Sequence, residues 1–480
     1  MARRNGGIIG PANTPTGGLA GVAKGVWRIN DVLNYKKNNQ WPVTATAVTN
    51  SLRFDDGSSD YLNRTPSSAG NRKTWTWSGW VKRSGLGFGQ RIFHASTDAN
   101  NRTEIYFTTA DKLEFFSTVS SSTKGHITTN QVFRDTSAWY HLVFALDASN
   151  TSLKIYVNGS EITDLTTSTS IQNADQMVNS TNEHAIGRYT PSTNNYFDGY
   201  MSEVVFIDGQ QLTPTSFGET NSTTNIWVPK PIGAQVGSFG TNGFYLDFAD
   251  SSSLGNDVSG NDNDFTVNNL TSLDQVTDIP TNNFATLNSL SSRSNNGTFS
   301  EGNTKFVGTM DGDWTVGTMA ATAGKWYWEV KANEANYLML GITTTDIIND
   351  NPTASLSGDK FMGFRNSNNF YNFGTLVTSS YSYSDGDIFS FMLDLDTGDC
   401  EFYQNDTLKQ TITLPTDKGD TWIPIIGDTY DVTDGNYNIN FGNPSVAISS
   451  GNSDPDGHGN FEYTTKTGYA WNTTNLNTYG

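Results

Sequence analysis

Residues 139–159 read WYHLVFALDASNTSLKIYVNG. From Trp139 to Leu146 the chain is apolar on both alternating sets of positions, as for a strand covered on both faces. Leu153-Lys154-Ile155-Tyr156-Val157 then runs into Asn158-Gly159, the dipeptide a type I′ hairpin turn favours because both central residues need positive φ. Upstream, Thr74-Trp75-Thr76-Trp77-Ser78-Gly79-Trp80-Val81 puts Trp75, Trp77 and Val81 on one face. Such strands, broken by Gly/Asn/Ser turns and almost free of helical period, predict an antiparallel β-sandwich over residues 49–218.

The same pattern returns over residues 299–447. Trp326, Trp328 and Val330 share one face of a strand, and Phe389, Phe391, Leu393 and Leu395 share one face of another. Asp396-Thr397-Gly398-Asp399 turns the chain into Cys400-Glu401-Phe402-Tyr403, where Cys400 shares a face with Phe402 and reads as a small core residue. A last strand is expected from Tyr437 through Phe441. Residues 219–298 read as a connector with short strands, one of them Phe244–Phe248, and residues 448–480 as a Gly/Asn/Ser-rich C-terminal tail. The expected class is all-β: two antiparallel sandwiches behind an extended N-terminal arm.

Charge is divided unevenly. The 480 residues carry a net −19, yet residues 1–48 hold Arg3, Arg4, Lys24, Arg28, Lys36 and Lys37 against Asp31 alone, a local +5 that leaves −24 on the remainder. This arm starts Gly/Pro-rich, with a short helix expected over 26–37 and stopped by Trp41-Pro42. The acidic balance argues against nucleic acid as a partner. No apolar run approaches a membrane span, no secretory signal is expected at the N-terminus, and the single cysteine excludes an intrachain disulfide. The 27 Phe, 20 Tyr and 12 Trp supply enough buried area for packed cores, so a wholly disordered chain is excluded.

Residues 51–62 (SLRFDDGSSDYL), 74–82 (TWTWSGWVK), 139–159 and 186–207 (IGRYTPSTNNYFDGYMSEVVFI) resemble a laminin-G-like, concanavalin-A-like lectin/glucanase domain. Residues 324–341 (GKWYWEVKANEANYLMLG), 387–403 (DIFSFMLDLDTGDCEFY) and 422–442 (WIPIIGDTYDVTDGNYNINFG) resemble a SPRY domain. The resemblance implies two jelly-roll sandwiches, concanavalin-A-like and SPRY-like, that recognise ligands through their loops. Their pairing, the arm string GVWRINDVLNYKKNNQWP and the string DIPTNNFATLNS at 278–289 are similar to tail-fibre-like virion proteins of marine bacteriophages.

Catalytic devices are missing from the sequence. A glucanase of this fold implies a Glu-x-Asp-x-x-Glu strand, which does not occur, and Glu329 and Glu334 fall on opposite faces of any continuous strand. There is no Gly-x-Ser-x-Gly, no His-Glu-x-x-His and no Cys/His spacing for zinc. His94, His126, His141, His184 and His458 stand singly and read as structural. The clusters Asp55/Asp56/Asp60 and Asp257/Asp262/Asp264 suit a hard cation or, as readily, side-chain-to-backbone turns; no metal site and no cofactor are assigned.

A glycan site needs aromatic faces flanked by amides, hydroxyls and a carboxylate. The stretch Arg188–Asp198 offers Arg188, Tyr189, Asn194, Asn195, Tyr196 and Asp198. In the second sandwich Asn368, Asn369, Tyr371, Tyr381 and Tyr383 form the comparable group. The resemblance implies a non-enzymatic protein on the virion surface, at the tail or head. It would dock on other virion proteins through Arg3, Arg4, Trp27, Arg28, Lys36, Lys37 and Trp41, and present lectin-like modules to host cell-surface polysaccharide. A homo-oligomer is expected. A head decoration or cement protein without a receptor, and a polysaccharide-degrading hydrolase, are the readings left beside it.

Overall fold

The computed structural model describes residues 48–480 apart from 193, 293–296, 309–311, 336, 347–359, 367 and 430–434. Arg3, Arg4, Trp27, Arg28, Lys36, Lys37, Trp41 and the helix expected over 26–37 lie outside the described residues.

The Trp75/Trp77/Val81 face does what its period of two demands. All three side chains are buried in one core with Phe93, Phe115, Phe144 and Phe206. They stand on Thr74–Arg83, a central strand of an eight-stranded antiparallel sheet. Its path runs Ser160–Glu161, Ser152–Val157, Trp139–Asp147, Thr74–Arg83, Gly199–Asp208, Ser51–Phe54 and Gln275–Val276, with Phe244–Leu246 also paired to Gly199–Asp208. Asn158 and Gly159 turn the hairpin between 152–157 and 160–161 with φ of 48° and 81°, both positive as a type I′ turn requires. The facing eight-stranded sheet runs Leu165–Thr169, Ser122–Val132, Lys112–Val119, Asn101–Phe107, Gln90–Asp98, Glu183–Ile186, Tyr61–Arg64 and Thr266–Asn268.

The double apolarity of 139–146 also has its cause. Leu142, Phe144 and Leu146 point into the inter-sheet core, while Val143 points the other way. There it joins Val205, Ile207, Phe217, Ile232, Val236, Phe239 and Tyr245 in a second buried layer. Residues 217–246 therefore form a cover over the outer face of the first sheet, and 244–246, 266–268 and 275–276 add strands to both sheets.

The second sandwich pairs two seven-stranded sheets. Lys325–Ala332 lies between Asn436–Asn440 and Ile388–Asp394, and Leu338–Thr344 lies between Trp422–Asp428 and Met362–Arg365. Trp326, Trp328, Val330, Phe389, Phe391, Leu393, Cys400 and Phe402 fill the core, with Trp328 stacked on Phe391 at 4.8 Å. The C-terminal residues pack back onto this unit. Trp471 enters the core 4.9 Å from Trp326, and Phe461 and Ala470 cover Tyr327 and Met392 on the outer face. Glu329 anchors the return, accepting from the backbone N–H groups of Glu462 and Tyr463 at 2.9 and 2.8 Å and from the Tyr327 hydroxyl at 2.9 Å.

The two sandwiches meet along a polar seam. Arg53, buried, pairs with Asp274 at 3.0 Å and Glu301 at 3.1 Å. Lys82 pairs with Asp278 at 2.8 Å and donates to Asn283 Oδ1 and the Phe284 carbonyl. Tyr200 donates its hydroxyl hydrogen to the Gly302 carbonyl at 2.7 Å.

Candidate functional site

Where Thr74–Arg83 and Trp139–Asp147 run side by side, Trp80 and Trp139 project to the outer face of the first sheet. Both side chains are buried in one cluster with Tyr200 and Val276. Trp227 reaches them from a separate two-stranded hairpin, Gly218–Thr220 with Trp227–Pro229. Its indole is seated against two glycines: a Cβ at Gly159 or Gly218 would lie 2.5 or 2.6 Å from the ring. Trp227 Nε1 donates to His141 Nδ1 at 3.0 Å, and His141 Nε2 lies 2.9 Å from Ser78 Oγ. An indole N–H only donates, so Nδ1 must accept and the imidazole proton sits on Nε2, directed at Ser78. Burial pushes the His141 pKa down to about 3, keeping the ring neutral.

Above these tryptophans opens a cleft of about 830 Å³. The hairpin tip forms one wall with Asn221, Asn225 and Ile226, the last 60% exposed. Pro280, Thr281 and Asn283 and the C-terminal helix Thr473–Tyr479, through Thr473 and Asn477, form the other. Every lining group is an indole, an aliphatic, an amide or a hydroxyl, and none is ionisable. The volume lies in the range of small-molecule sites, about 300–1,000 Å³. Chemically such a cleft suits a neutral, hydroxyl-rich ligand, with amides for the hydroxyls and apolar ring surface for the C–H faces.

The residues selected from sequence are placed elsewhere. Arg188 pairs with Glu183 at 2.5 Å and lies 3.9 Å over the Tyr61 ring, and Tyr196 packs on that same Tyr61 ring with centroids 6.2 Å apart. Tyr189 is wedged among Arg91, 4.8 Å from its ring centre, and His94, 5.0 Å away. Asn195 carries its Nδ2 to Asn194 Oδ1 at 3.1 Å. Asp198 is buried; desolvation, followed by the charges of Asp56 and Asp55, holds its pKa well above the usual carboxylate range. It faces the loop 55–60 instead of the rim. One carboxylate oxygen from each of Asp55, Asp56 and Asp198 lies within 4.8 Å of the others, the arrangement among the described residues able to hold a metal ion.

In the second sandwich, Tyr383 donates to the Asn369 carbonyl at 3.0 Å and Tyr381 to the Lys409 carbonyl at 2.7 Å. Both rings pack on Phe364. Tyr371 is half-buried beside Arg365, 5.4 Å from its ring centre. Asn368, Asn369, Tyr381 and Tyr383 are thus brought together, with two hydroxyls committed to backbone, whereas Tyr371 alternates with the core residue Phe370 and lies on the opposite face of its strand. Sequence reasoning missed the Trp80/Trp139/Trp227 cleft. The signal it held was Trp80, the one tryptophan of 74–81 on the face opposite Trp75 and Trp77.

Residues 56–216 match the family model described as Concanavalin A-like lectin/glucanases superfamily. The match covers most strands of the two paired sheets, with Ser51–Phe54, Phe244–Leu246, Thr266–Asn268 and Gln275–Val276 outside it, and the first unit is called the lectin-like sandwich below. Among solved structures, the chain is similar to a heptameric SAP-like pentraxin from Limulus polyphemus at 16% identity, covering 39% of this chain and 94% of that one with a TM-score of 0.30. It is similar to the SPRY domain of human HERC1 at 13% identity, covering 32% of this chain and 96% of that one with a TM-score of 0.25. No curated protein matches the chain.

Proposed function

We propose that this chain is a non-catalytic glycan-recognition protein that binds a neutral saccharide in the cleft over Trp80, Trp139 and Trp227. The observation that supports the reading is the lining itself: three indoles and a ring of asparagines and hydroxyls, without an ionisable group, on a lectin-like sandwich. The absence of charge favours sugar hydroxyls over phosphate, sulfate or carboxylate ligands, whose binding calls for cationic partners.

In the same reading the chain is a tail-fibre-like virion protein of a bacteriophage. The basic arm, with Arg3, Arg4, Trp27, Arg28, Lys36, Lys37 and Trp41, attaches it to other virion proteins, and the two sandwiches are presented to host-surface polysaccharide. The similarity of the arm string and the domain pairing supports this part. Reversing the charges of Arg3, Arg4, Lys36 and Lys37 tests it: the variant is expected to be missing from purified particles, and normal incorporation contradicts the docking role. Retention of the full chain on neutral polysaccharides, lost in Trp227→Ala, tests the glycan part.

A further inference from the structure

Lys82, Asp278 and Asn283 meet at the seam between the sandwiches. Lys82 Nζ lies 2.8 Å from Asp278 Oδ2 and donates to Asn283 Oδ1 at 2.7 Å and to the Phe284 carbonyl at 3.0 Å. Three acceptors thus meet the three hydrogens of the ammonium. The lysine and aspartate side chains are 1% and 0% exposed. Buried Trp139 donates to the carboxylate, and the Tyr200 ring centre stands 5.4 Å from Nζ.

The contacts fix which atom of each group faces the lysine. Asn283 Nδ2 donates to the Ser137 carbonyl at 2.7 Å, a group that only accepts, so Oδ1 is the amide atom turned to Nζ. Asp278 Oδ1 accepts from Trp139 Nε1 at 3.0 Å and from the Phe284 backbone N–H at 3.3 Å, which leaves Oδ2 to the lysine. A carbonyl bond is about 1.23 Å long, so Asn283 Cγ lies at most about 3.9 Å from Nζ. Reacting atoms in a near-attack arrangement stand about 3–3.5 Å apart. An amine, an amide carbon and a carboxylate able to carry protons are therefore held together away from water. By contrast, Lys73 Nζ meets Asn173 Oδ1 at 3.0 Å on an exposed surface, and among the described residues no carboxylate pairs with it.

We propose that Lys82 and Asn283 join in an isopeptide bond, with Asp278 as the proton carrier. A proton passing from Nζ to Asp278 Oδ2 replaces two buried charges by two neutral groups, which a dry site favours. The freed lone pair attacks Asn283 Cγ. A second Nζ proton is relayed through Asp278 to Nδ2, the Cγ–Nδ2 bond breaks, and ammonia departs into the cleft that Asn283 lines. The five hydrogens on Nζ and Nδ2 end as one on the new amide, three on ammonia and one on Asp278, and nothing is oxidised or reduced. The bond ties Thr74–Arg83 to the residue before Phe284, which packs into the second sandwich with Tyr327 and Phe461. It is a covalent bolt across the seam, and the inference is independent of the glycan reading.

The test is mass spectrometry of the full chain, incubated in its native state and then denatured. Wild type is expected to weigh one ammonia less than its sequence, while Lys82→Arg, Asn283→Ala and Asp278→Asn match theirs. Trypsin should cut after Lys73 and not after Lys82, and a branched peptide should carry Lys82 linked to Asn283. A wild-type chain at its sequence mass and cut after Lys82 overturns the proposal, a result that needs no variant to fold. Loss of water instead of ammonia, with Lys82 linked to Asp278, overturns Asn283 as the partner. Full ammonia loss and the same branched peptide in Asp278→Asn overturn the role of the carboxylate.

Discussion

Trp227 Nε1 donates to His141 Nδ1 at 3.0 Å, joining a surface hairpin to the strand Trp139–Asp147 of the lectin-like sandwich. The bond matters because His141 is 1% exposed and has no water to replace a lost partner. Trp227→Phe keeps an aromatic ring against Gly159 and Gly218 but leaves Nδ1 unpaired. The expected cost is about 1–3 kcal/mol in urea unfolding, the range for stranding a buried polar group.

His141 also sets a pH dependence. Its folded pKa, lowered by burial to about 3, lies below the ordinary 6.5, so between those values the unfolded chain binds the extra proton. Its contribution is fully present above pH 6.5 and is lost as pH falls toward 3, by at most about 1.4 kcal/mol per pH unit. Buried Glu203, raised by desolvation to about 8, acts in the opposite sense over an overlapping range. The clean measurement is thus a difference: the stability gap between wild type and His141→Gln should narrow from pH 7.5 to pH 5. A constant gap contradicts the neutral, buried imidazole.

The seam between the sandwiches rests on a buried ion pair. Lys82 Nζ and Asp278 are 2.8 Å apart with side chains 1% and 0% exposed, and Trp139 Nε1 donates to the other carboxylate oxygen at 3.0 Å. Removing one charge strands the other. Lys82→Met is expected to destabilise by about 3–5 kcal/mol, measured by denaturant unfolding.

Tyr200 and Gly302 fix the same seam from the other side. Gly302 sits at φ 64°, and a Cβ there would lie 2.2 Å from the Tyr200 hydroxyl oxygen. Gly302→Ala combines backbone strain with a clash against a fully buried ring. Loss of about 1–3 kcal/mol is expected, with earlier proteolysis between the sandwiches as its signature.

Much of the fold was legible because strands buried on one face repeat every two residues. Trp75/Trp77/Val81 and Trp326/Trp328/Val330 follow that rule and are core. Segments that contribute single aromatics between turns carry no such period. Phe265 enters the first core from the Asp/Asn/Gly-rich stretch 250–269, and Trp471 enters the second core from a stretch rich in Asn, Thr and Gly. The sites were less legible still. Asp198 meets Asp55 only through strand register, and Trp227 meets Trp80 only because a hairpin folds over the sheet. Neither encounter leaves a trace in local spacing.

The central claim is that the uncharged cleft over Trp80, Trp139 and Trp227 binds a neutral glycan. Its most direct measurement is the affinity of the full-length chain for a panel of neutral polysaccharides, compared with Trp227→Ala and Asn477→Ala. Asn477 is an exposed helix residue of the cleft wall, so its variant folds even if the tryptophan variant does not. Saturable binding by wild type, weakened at least tenfold in Trp227→Ala and measurably in Asn477→Ala, is the predicted result. Binding that both variants retain at wild-type strength, or no binding by wild type to any member of the panel, contradicts it.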